Sequence, residues 1–291
     1  MMNKFKGTGV ALVTPFNKDG KVDFSAIQKL VNFQINNGTN YLVVQGTTGE
    51  STTLSEEEKT AILEFIIEIN SNRIPIVLGI GGNNTKIVAE KIDFFSKFKI
   101  DGFLSVSPYY NKPSQMGLIE HYKAISSLTD LPILLYNVPG RTSCNISSVT
   151  TLNLANEVSN IIGIKEASGN LDQIMKIIAN KPKDFLVISG DDALTLAHIA
   201  LGGDGVISVV ANAFPKRFSE MVNLALNGNL GMAREKHYEL LEIINYLFID
   251  GNPAGIKHLL KLINICSDKV RLPLVNVSPP IASKLYELVA A

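Results

Sequence analysis

The chain has 291 residues, of which 46% are hydrophobic, and its 27 basic and 27 acidic side chains give a formal net charge of zero. This length is enough for one large hydrophobic core, or for a core with a small appended unit. A balanced charge without a basic block argues against nucleic acid or an anionic membrane surface as a partner, which leaves small molecules.

The N-terminal stretch MMNKFKGTGVALVTPF enters an apolar run at once, without the long apolar segment and cleavage site of a signal peptide. We also expect no membrane-spanning segment. Cys144 and Cys266 are isolated thiols without a CxxC pair, which suits a reducing compartment. The four histidines lack HxxxH or HExxH spacing, so we expect no metal site. The sequence therefore predicts a cytoplasmic protein.

Eight short apolar runs follow one another at intervals of roughly 20 to 35 residues. They are GVALVTP, YLVVQG, PIVLGI, GFLSVSP, PILLYNVP, IIGIKEA, FLVISG and GVISVV. Continuous rather than alternating hydrophobicity is typical of parallel strands buried on both faces, and the intervening segments are long enough for crossover helices. One of these segments begins with the helix-start signal SEEE at Ser55.

Eight such βα units predict an α/β fold, with a (β/α)8 TIM barrel over residues 1-227. A doubly wound sheet is the less favoured alternative, because no complete GxGxxG follows an early strand. After Asn227 the strand-like runs stop, and helical patterning such as MAREKHYELLEIINYLF continues. We therefore expect a small C-terminal helical domain over residues 228-291.

Three polar segments follow predicted strands at the end where such barrels build their chemistry. GTTGES follows the second strand, and its backbone N–H groups and hydroxyls could hold a carboxylate, although an ordinary turn explains it equally well. SPYYNKPSQ follows the fourth strand with a tyrosine pair, a feature more often found in packing than in catalysis. YNVPGRT offers Tyr136 on the fifth strand and Arg141 beyond it, and an arginine fork suits a carboxylate.

Lys165 lies within GIIGIKEASG, inside an otherwise apolar and β-branched run. Burial disfavours the charged form of an amine and lowers its pKa, and the neutral amine is a nucleophile that can form a Schiff base. The alternative is a lysine whose stem reaches solvent from the strand end. Catalysis is favoured because all of these groups fall at the same end of the predicted barrel: the amine, the phenols, the oxyanion turn and the arginine.

The segments GTTGES, SPYYNKPSQ, YNVPGRT, GIKEASG, SGDD and LGGDGVISV resemble the dihydrodipicolinate synthase family, in order and spacing over essentially the whole chain. The resemblance implies a barrel lyase that forms a Schiff base with pyruvate and condenses it with L-aspartate 4-semialdehyde, in the diaminopimelate route to lysine. It implies no cofactor beyond the covalent imine. It also implies a homotetramer built as a dimer of dimers.

The resemblance assigns roles to eight residues of this chain. The catalytic residues are Lys165, Tyr136, Thr47 and Tyr110. The substrate-binding residues are Thr48, Arg141, Gly190 and Ile207. In the family pattern Thr48 and its turn hold the carboxylate of pyruvate, Arg141 holds that of the semialdehyde, and the other two line the site.

The family pattern also implies a proton relay. Lys165 forms the imine, and Tyr136 beside it donates and accepts protons. Thr47 links that phenol to Tyr110, whose side chain enters the site of a neighbouring subunit. A phenol is a poor base alone, so the hydrogen-bonded chain is what makes the relay competent.

Three alternatives stay open from the sequence. The nearest is an N-acetylneuraminate lyase or a 2-keto-3-deoxy sugar acid aldolase of the same superfamily, against which Arg141 argues. A phosphate-binding barrel is disfavoured because Asp191 and Asp192 occupy the place of its anion site. A non-catalytic sensor on the same scaffold would be expected to have lost the amine or the tyrosines.

Inhibition by lysine is expected to be weak or absent. In lysine-inhibited members of the family, a histidine and a glutamate help to bind the effector, and the matching positions here are Lys59 and Ile87. A cationic ligand would therefore meet an added cation and lose an anion. Glu56, close to Lys59 in sequence, is the one nearby residue that could offset this change.

Overall fold

The computed structural model describes residues 2–290, and within that range eight parallel strands close into a barrel in sequential order. The strands are β1 (Gly7–Ala11), β2 (Tyr41–Val44), β3 (Ile76–Gly81), β4 (Gly102–Val106), β5 (Ile133–Asn137), β6 (Ile161–Glu166), β7 (Leu186–Ser189) and β8 (Gly205–Ser208). Each overlaps one of the eight apolar runs. The predicted (β/α)8 architecture is confirmed.

Helices follow the strands around the outside of the barrel and continue after it. They are α1 (Phe24–Asn36), α2 (Glu56–Asn70), α3 (Thr85–Phe95), α4 (Gln115–Ser126), α5 (Pro139–Thr142), α6 (Ser148–Glu157), α7 (Leu171–Asn180), α8 (Thr195–Ala200), α9 (Pro215–Leu226), α10 (Leu230–Phe248), α11 (Ala254–Leu262) and α12 (Pro279–Ala290). Helix α2 begins with the predicted capping box, in which Ser55 and Glu58 exchange side-chain and backbone hydrogen bonds. No helix of the described range is long and apolar enough to cross a membrane.

The strands are apolar on both faces because the barrel has two cores. Successive side chains of a strand point to opposite sides, so Leu42 packs towards the helices while Val43 fills the barrel interior. The interior also holds Tyr41, Leu104 and Ile188. This arrangement accounts for runs that are continuously hydrophobic in sequence.

The C-terminal helices pack on the outside of the barrel. Helix α10 lies against α8 and α9, and its Leu240 and Ile244 belong to the same buried cluster as the barrel helices. Leu259 of α11 and Leu285 of α12 join that cluster. The helical patterning expected after Asn227 is confirmed, while the domain boundary placed there stays a prediction.

Candidate active site

A buried lysine and a tyrosine face each other across two neighbouring strands. Strands β5 and β6 pair in parallel, with Tyr136 opposite Lys165. The Nζ atom of Lys165 lies 4.4 Å from the centroid of the Tyr136 ring. Lys165 is only 6% exposed. None of the ion pairs formed within residues 2–290 includes this amine, so it has no carboxylate as a counter-charge.

At Gly190 the backbone after β7 lies close to the side chain of Lys165. A Cβ atom at Gly190 would lie 3.0 Å from Cε of Lys165 and 2.5 Å from Cβ of Ala167. Any side chain there would therefore displace the lysine stem or its neighbour. Ile207, the other predicted lining residue, is buried on β8 within the same barrel interior.

A cavity of about 340 Å³ opens beside the tyrosine at the carboxyl ends of the strands. Its walls include Gly46, Thr47, Gly79, Tyr136 and Arg141. The arginine lies on the short helix α5. Among the described residues, the arginines that form ion pairs are Arg217 and Arg271, so no carboxylate pairs with the guanidinium of Arg141. The cavity therefore presents to a small ligand one guanidinium without a carboxylate partner among the described residues, and the phenols of Tyr109 and Tyr136.

The cavity extends from the barrel towards helices α2 and α3. Lys59 and Lys91 line this end, together with Glu56. Both lysine Nζ atoms bind the same Oε1 atom of Glu56, at 2.9 Å and 2.7 Å. Burial opposes the effect, yet the hydrogen bonds from the two lysines lower the pKa of Glu56 overall. The single carboxylate is therefore already shared between two cations.

The predicted oxyanion turn between β2 and α2 is fixed by close backbone packing. It contains two short 3-10 helices, Thr47–Gly49 and Ser51–Thr53. A Cβ atom at Gly79 of β3 would lie 2.6 Å from the carbonyl oxygen of Gln45, so only glycine lets the turn rest on β3. The hydroxyl of Thr14 donates to the carbonyl oxygen of Gly49 at 2.7 Å.

Thr48 and Glu50 of this turn are held by residues far away in the sequence. Thr48 is buried, and its Oγ1 accepts a hydrogen bond of 3.0 Å from Nδ2 of Asn252. Glu50 forms an ion pair of 2.5 Å with Lys257, and both side chains are completely buried. The backbone N–H of Arg271 donates to the second oxygen of Glu50 at 2.9 Å.

Asn252 and Lys257 lie in GNPAGIKHLL, just before the N-cap of α11 and within that helix, and neither was predicted from the sequence as part of the site. Burial lowers the pKa of Lys257, and the adjacent carboxylate of Glu50 opposes this effect. A lysine inside a helical pattern is usually a surface residue. The only signal was its place in an otherwise apolar stretch after a proline.

Tyr110 lies away from the cavity of its own chain. Its side chain is 88% exposed, and its backbone has a positive φ of 74°. Tyr109 does line the cavity. The loop is tied to the start of α3, since Nδ2 of Asn111 donates to the carbonyl oxygen of Asn83 at 2.9 Å. Within one subunit Tyr110 therefore takes no part in the predicted relay.

The acidic residues at the end of β6 and after β7 have structural partners. Glu166 points away from Lys165 and accepts hydrogen bonds from Asn137 and Gln173. Asp191 accepts from the first backbone N–H groups leading into α8. Asp192 accepts from the backbone of the segment after β8, and burial raises its pKa to about 6.

Of the eight predicted residues, Thr47, Tyr136 and Arg141 line the cavity, and Lys165 contacts the ring of Tyr136 without itself lining the cavity. Gly190 contacts the lysine, whereas Thr48, Ile207 and Tyr110 do not line the cavity in this chain. A buried amine beside a phenol at the mouth of a (β/α)8 barrel is the arrangement of a lyase that works through a lysine Schiff base.

Similarity to known proteins identifies the family to which the chain belongs. Residues 4–291 match the model of the Dihydrodipicolinate synthetase family. The 4-hydroxy-tetrahydrodipicolinate synthase of Parabacteroides distasonis is 53% identical over 283 residues, which cover 97% of this chain and 95% of that protein. The chain belongs to this family, and it is an enzyme of the Schiff-base-forming lyase type.

Solved structures agree in fold. The dihydrodipicolinate synthase of Thermotoga maritima superposes with a TM-score of 0.97 at 40% identity, covering 99% of this chain and 98% of that one. The chloride-inhibited dihydrodipicolinate synthase of Acinetobacter baumannii, solved in complex with pyruvate, superposes with a TM-score of 0.95 at 40% identity, covering 98% of each chain.

Proposed function

We infer that the protein condenses pyruvate with L-aspartate 4-semialdehyde, the 4-hydroxy-tetrahydrodipicolinate synthase reaction of the diaminopimelate route to lysine. The single observation that carries this inference is the buried amine of Lys165, 4.4 Å from the ring of Tyr136 and without a counter-charge in the described structure. The pyruvate complex of the Acinetobacter baumannii enzyme, 40% identical to this chain, supports the first substrate.

The first half of the reaction makes an enamine from pyruvate. The neutral amine of Lys165 attacks the keto carbon, and the resulting carbinolamine loses water to give an imine. The imine nitrogen then accepts the electron pair left when a methyl proton is removed. Tyr136 is the phenol placed to move these protons, since its ring contacts the amine. We propose that no further cofactor is needed, because the imine itself is the electron sink.

The second half joins the two substrates. The enamine carbon attacks the aldehyde carbon of the semialdehyde, and the amino group of that substrate then displaces Lys165 and closes the ring. Arg141 lines the cavity without a carboxylate partner among the described residues, so it can take the carboxylate of the incoming semialdehyde. The backbone of the turn at Thr48 faces the carboxylate of pyruvate in this proposal.

We propose a homotetramer, built as a dimer of dimers, in which Tyr110 completes the relay of a neighbouring subunit through Thr47. Its large exposure and its absence from the cavity of its own chain support a role across an interface. Exposed apolar side chains of Ile87 and Met116 on the adjoining helices support the same contact. We also propose a cytoplasmic location, supported by the free thiols of Cys144 and Cys266.

The test is turnover by the purified protein. With pyruvate and L-aspartate 4-semialdehyde we expect product formation with saturation in both substrates. With a polyhydroxylated aldehyde such as N-acetylmannosamine, which carries no carboxylate for Arg141, we expect little or none. Preference for the sugar aldehyde would favour the sugar-acid aldolase alternative, and failure with every aldehyde would contradict the proposed function.

A further inference from the structure

Two side chains of the oxyanion turn contact the segment around the start of α11. Thr48 and Glu50 are both buried, and they contact Asn252 and Lys257, which lie 204 and 207 residues away in the chain. The turn is therefore held on one side by β3 of the barrel and on the other by α11 and the residue preceding its N-cap. This second support is not explained by the closure of the barrel.

The direction of the bond between Asn252 and Thr48 has a chemical consequence. A threonine hydroxyl can donate one hydrogen bond and accept others. Nδ2 of Asn252 donates to Oγ1 of Thr48 at 3.0 Å, so the hydroxyl hydrogen must point away from that amide. Thr48 is thereby set as a donor, and a donor is what a carboxylate requires.

The environment of Asn252 argues against a purely stabilising role. Its Oδ1 is buried and has no hydrogen-bond partner within the described part of the chain. A buried unpaired acceptor is unfavourable, and an apolar side chain would avoid that cost. The bond that the amide donates to Thr48 is the feature that an apolar residue could not supply.

The ion pair between Glu50 and Lys257 fixes the position of the turn that carries the Thr48 hydroxyl. Glu50 follows the 3-10 helix that contains Thr48, and its backbone has a positive φ of 51°. Its buried carboxylate is bound by Lys257, whose Nζ also donates to the carbonyl oxygen of Lys269 at 2.9 Å. The turn backbone thus has little freedom to move relative to α11.

We propose that Asn252 is a positioning residue for the reaction, which orients the hydroxyl of Thr48 to donate to the carboxylate of pyruvate. This inference rests on the proposed function and extends it to a residue outside the barrel. Asn252 itself touches no reacting atom in this scheme. Its effect passes through one hydroxyl, and that property makes the proposal testable.

The first test is the steady-state kinetics of Asn252→Ala. The KM for pyruvate should rise roughly three- to tenfold, the effect of one neutral hydrogen bond, with a smaller change in kcat. The KM for the semialdehyde should stay within about twofold, because Arg141 holds that substrate. The matched control is Asn245→Ala, the same change at an exposed position of α10, and it should behave as wild type.

An isosteric variant guards against a folding defect in the alanine variant. Asn252→Asp keeps the shape but replaces the donor by an acceptor, so the hydroxyl of Thr48 would turn towards it. Its pyruvate KM should rise at least as much as that of Asn252→Ala, again without a matching rise for the semialdehyde. If Asn252 acted only through packing, Asn252→Asp would keep a pyruvate KM close to that of the wild type, and that result would overturn the proposal.

The decisive measurement is a double-mutant cycle with Thr48→Val. Once the hydroxyl is gone, adding Asn252→Ala should change the pyruvate KM by less than about twofold. Effects that multiply in the double variant, or an unchanged or lowered KM in Asn252→Ala, would overturn the inference. If the wild type turns over both substrates while these outcomes appear, only the inference fails. If the wild type does not turn over, the proposed function fails as well.

Discussion

The buried ion pair between Lys257 and Glu50 offers a sharp prediction about stability. Replacing Lys257 by methionine keeps most of the side-chain volume but leaves the Glu50 carboxylate buried without its cation. Both side chains are 0% exposed, so water cannot take the place of the ammonium group. Breaking such a pair by removing one partner costs on the order of 3–5 kcal/mol.

The size of the effect can be stated as a melting temperature. For domains of about 150–250 residues, 1 kcal/mol shifts Tm by roughly 2–4 °C, so we expect Lys257→Met to lower Tm by on the order of 10 °C. The loss also removes the contact of the ammonium group with the ring of Phe16, 4.1 Å away. The Arg271 backbone N–H remains as a hydrogen-bond donor to the carboxylate.

Thermal unfolding followed by circular dichroism tests this prediction. The matched control is Lys261→Met on the same helix, which breaks a more exposed pair with Asp268 and should cost at most about 1 kcal/mol. Adding Glu50→Gln to Lys257→Met should recover much of the loss, because no uncompensated charge is then buried. A Tm for Lys257→Met within about 2 °C of the Lys261→Met control would refute the reasoning.

Three further predictions concern the site. Arg141→Ala should raise the KM for the semialdehyde about tenfold to a hundredfold, as expected for lost charged hydrogen bonds, while the rate of imine formation with pyruvate changes little. If imine formation falls by the same factor, Arg141 has a structural role instead. The Tyr110→Phe and Lys165→Ala variants should each be nearly inactive alone. After equal mixing and subunit exchange, about a quarter of the active sites should combine an intact Lys165 with an intact Tyr110 from the neighbouring subunit, so activity should partly return. No recovery would contradict a role of Tyr110 across the interface. L-lysine should inhibit weakly, because Lys59 adds a cation and the carboxylate of Glu56 already binds both Lys59 and Lys91. Half-inhibition below about a millimolar L-lysine at subsaturating pyruvate would contradict this expectation.

The barrel could be predicted from the sequence because its physical cause is local. A parallel strand covered on both faces is continuously hydrophobic, as in β2 with Leu42 and Val43 packed to opposite sides. The capping box at Ser55 and Glu58 is likewise a pattern within four residues. Lys165 stood out for the same reason, as one cation in an apolar strand.

Contacts between distant segments could not be predicted in this way. Asn252 and Thr48 are separated by 204 residues, and nothing in either neighbourhood indicates the other. Lys257 lies in a helical pattern, where a lysine is ordinarily solvated, yet it is fully buried against Glu50. Gly190 came from the family resemblance alone, and its physical reason, the 3.0 Å approach to Lys165, appears only in three dimensions.

The most direct test of the proposed chemistry is chemical trapping of the imine. Wild-type protein incubated with pyruvate and sodium borohydride, then digested and analysed by mass spectrometry, should carry one reduced pyruvyl group on the peptide that contains Lys165. Lys165→Arg should stay unlabelled and lose nearly all activity, because a guanidinium does not deprotonate to a nucleophile. A label on another lysine, or turnover without any trapped adduct, would contradict a Schiff base at Lys165.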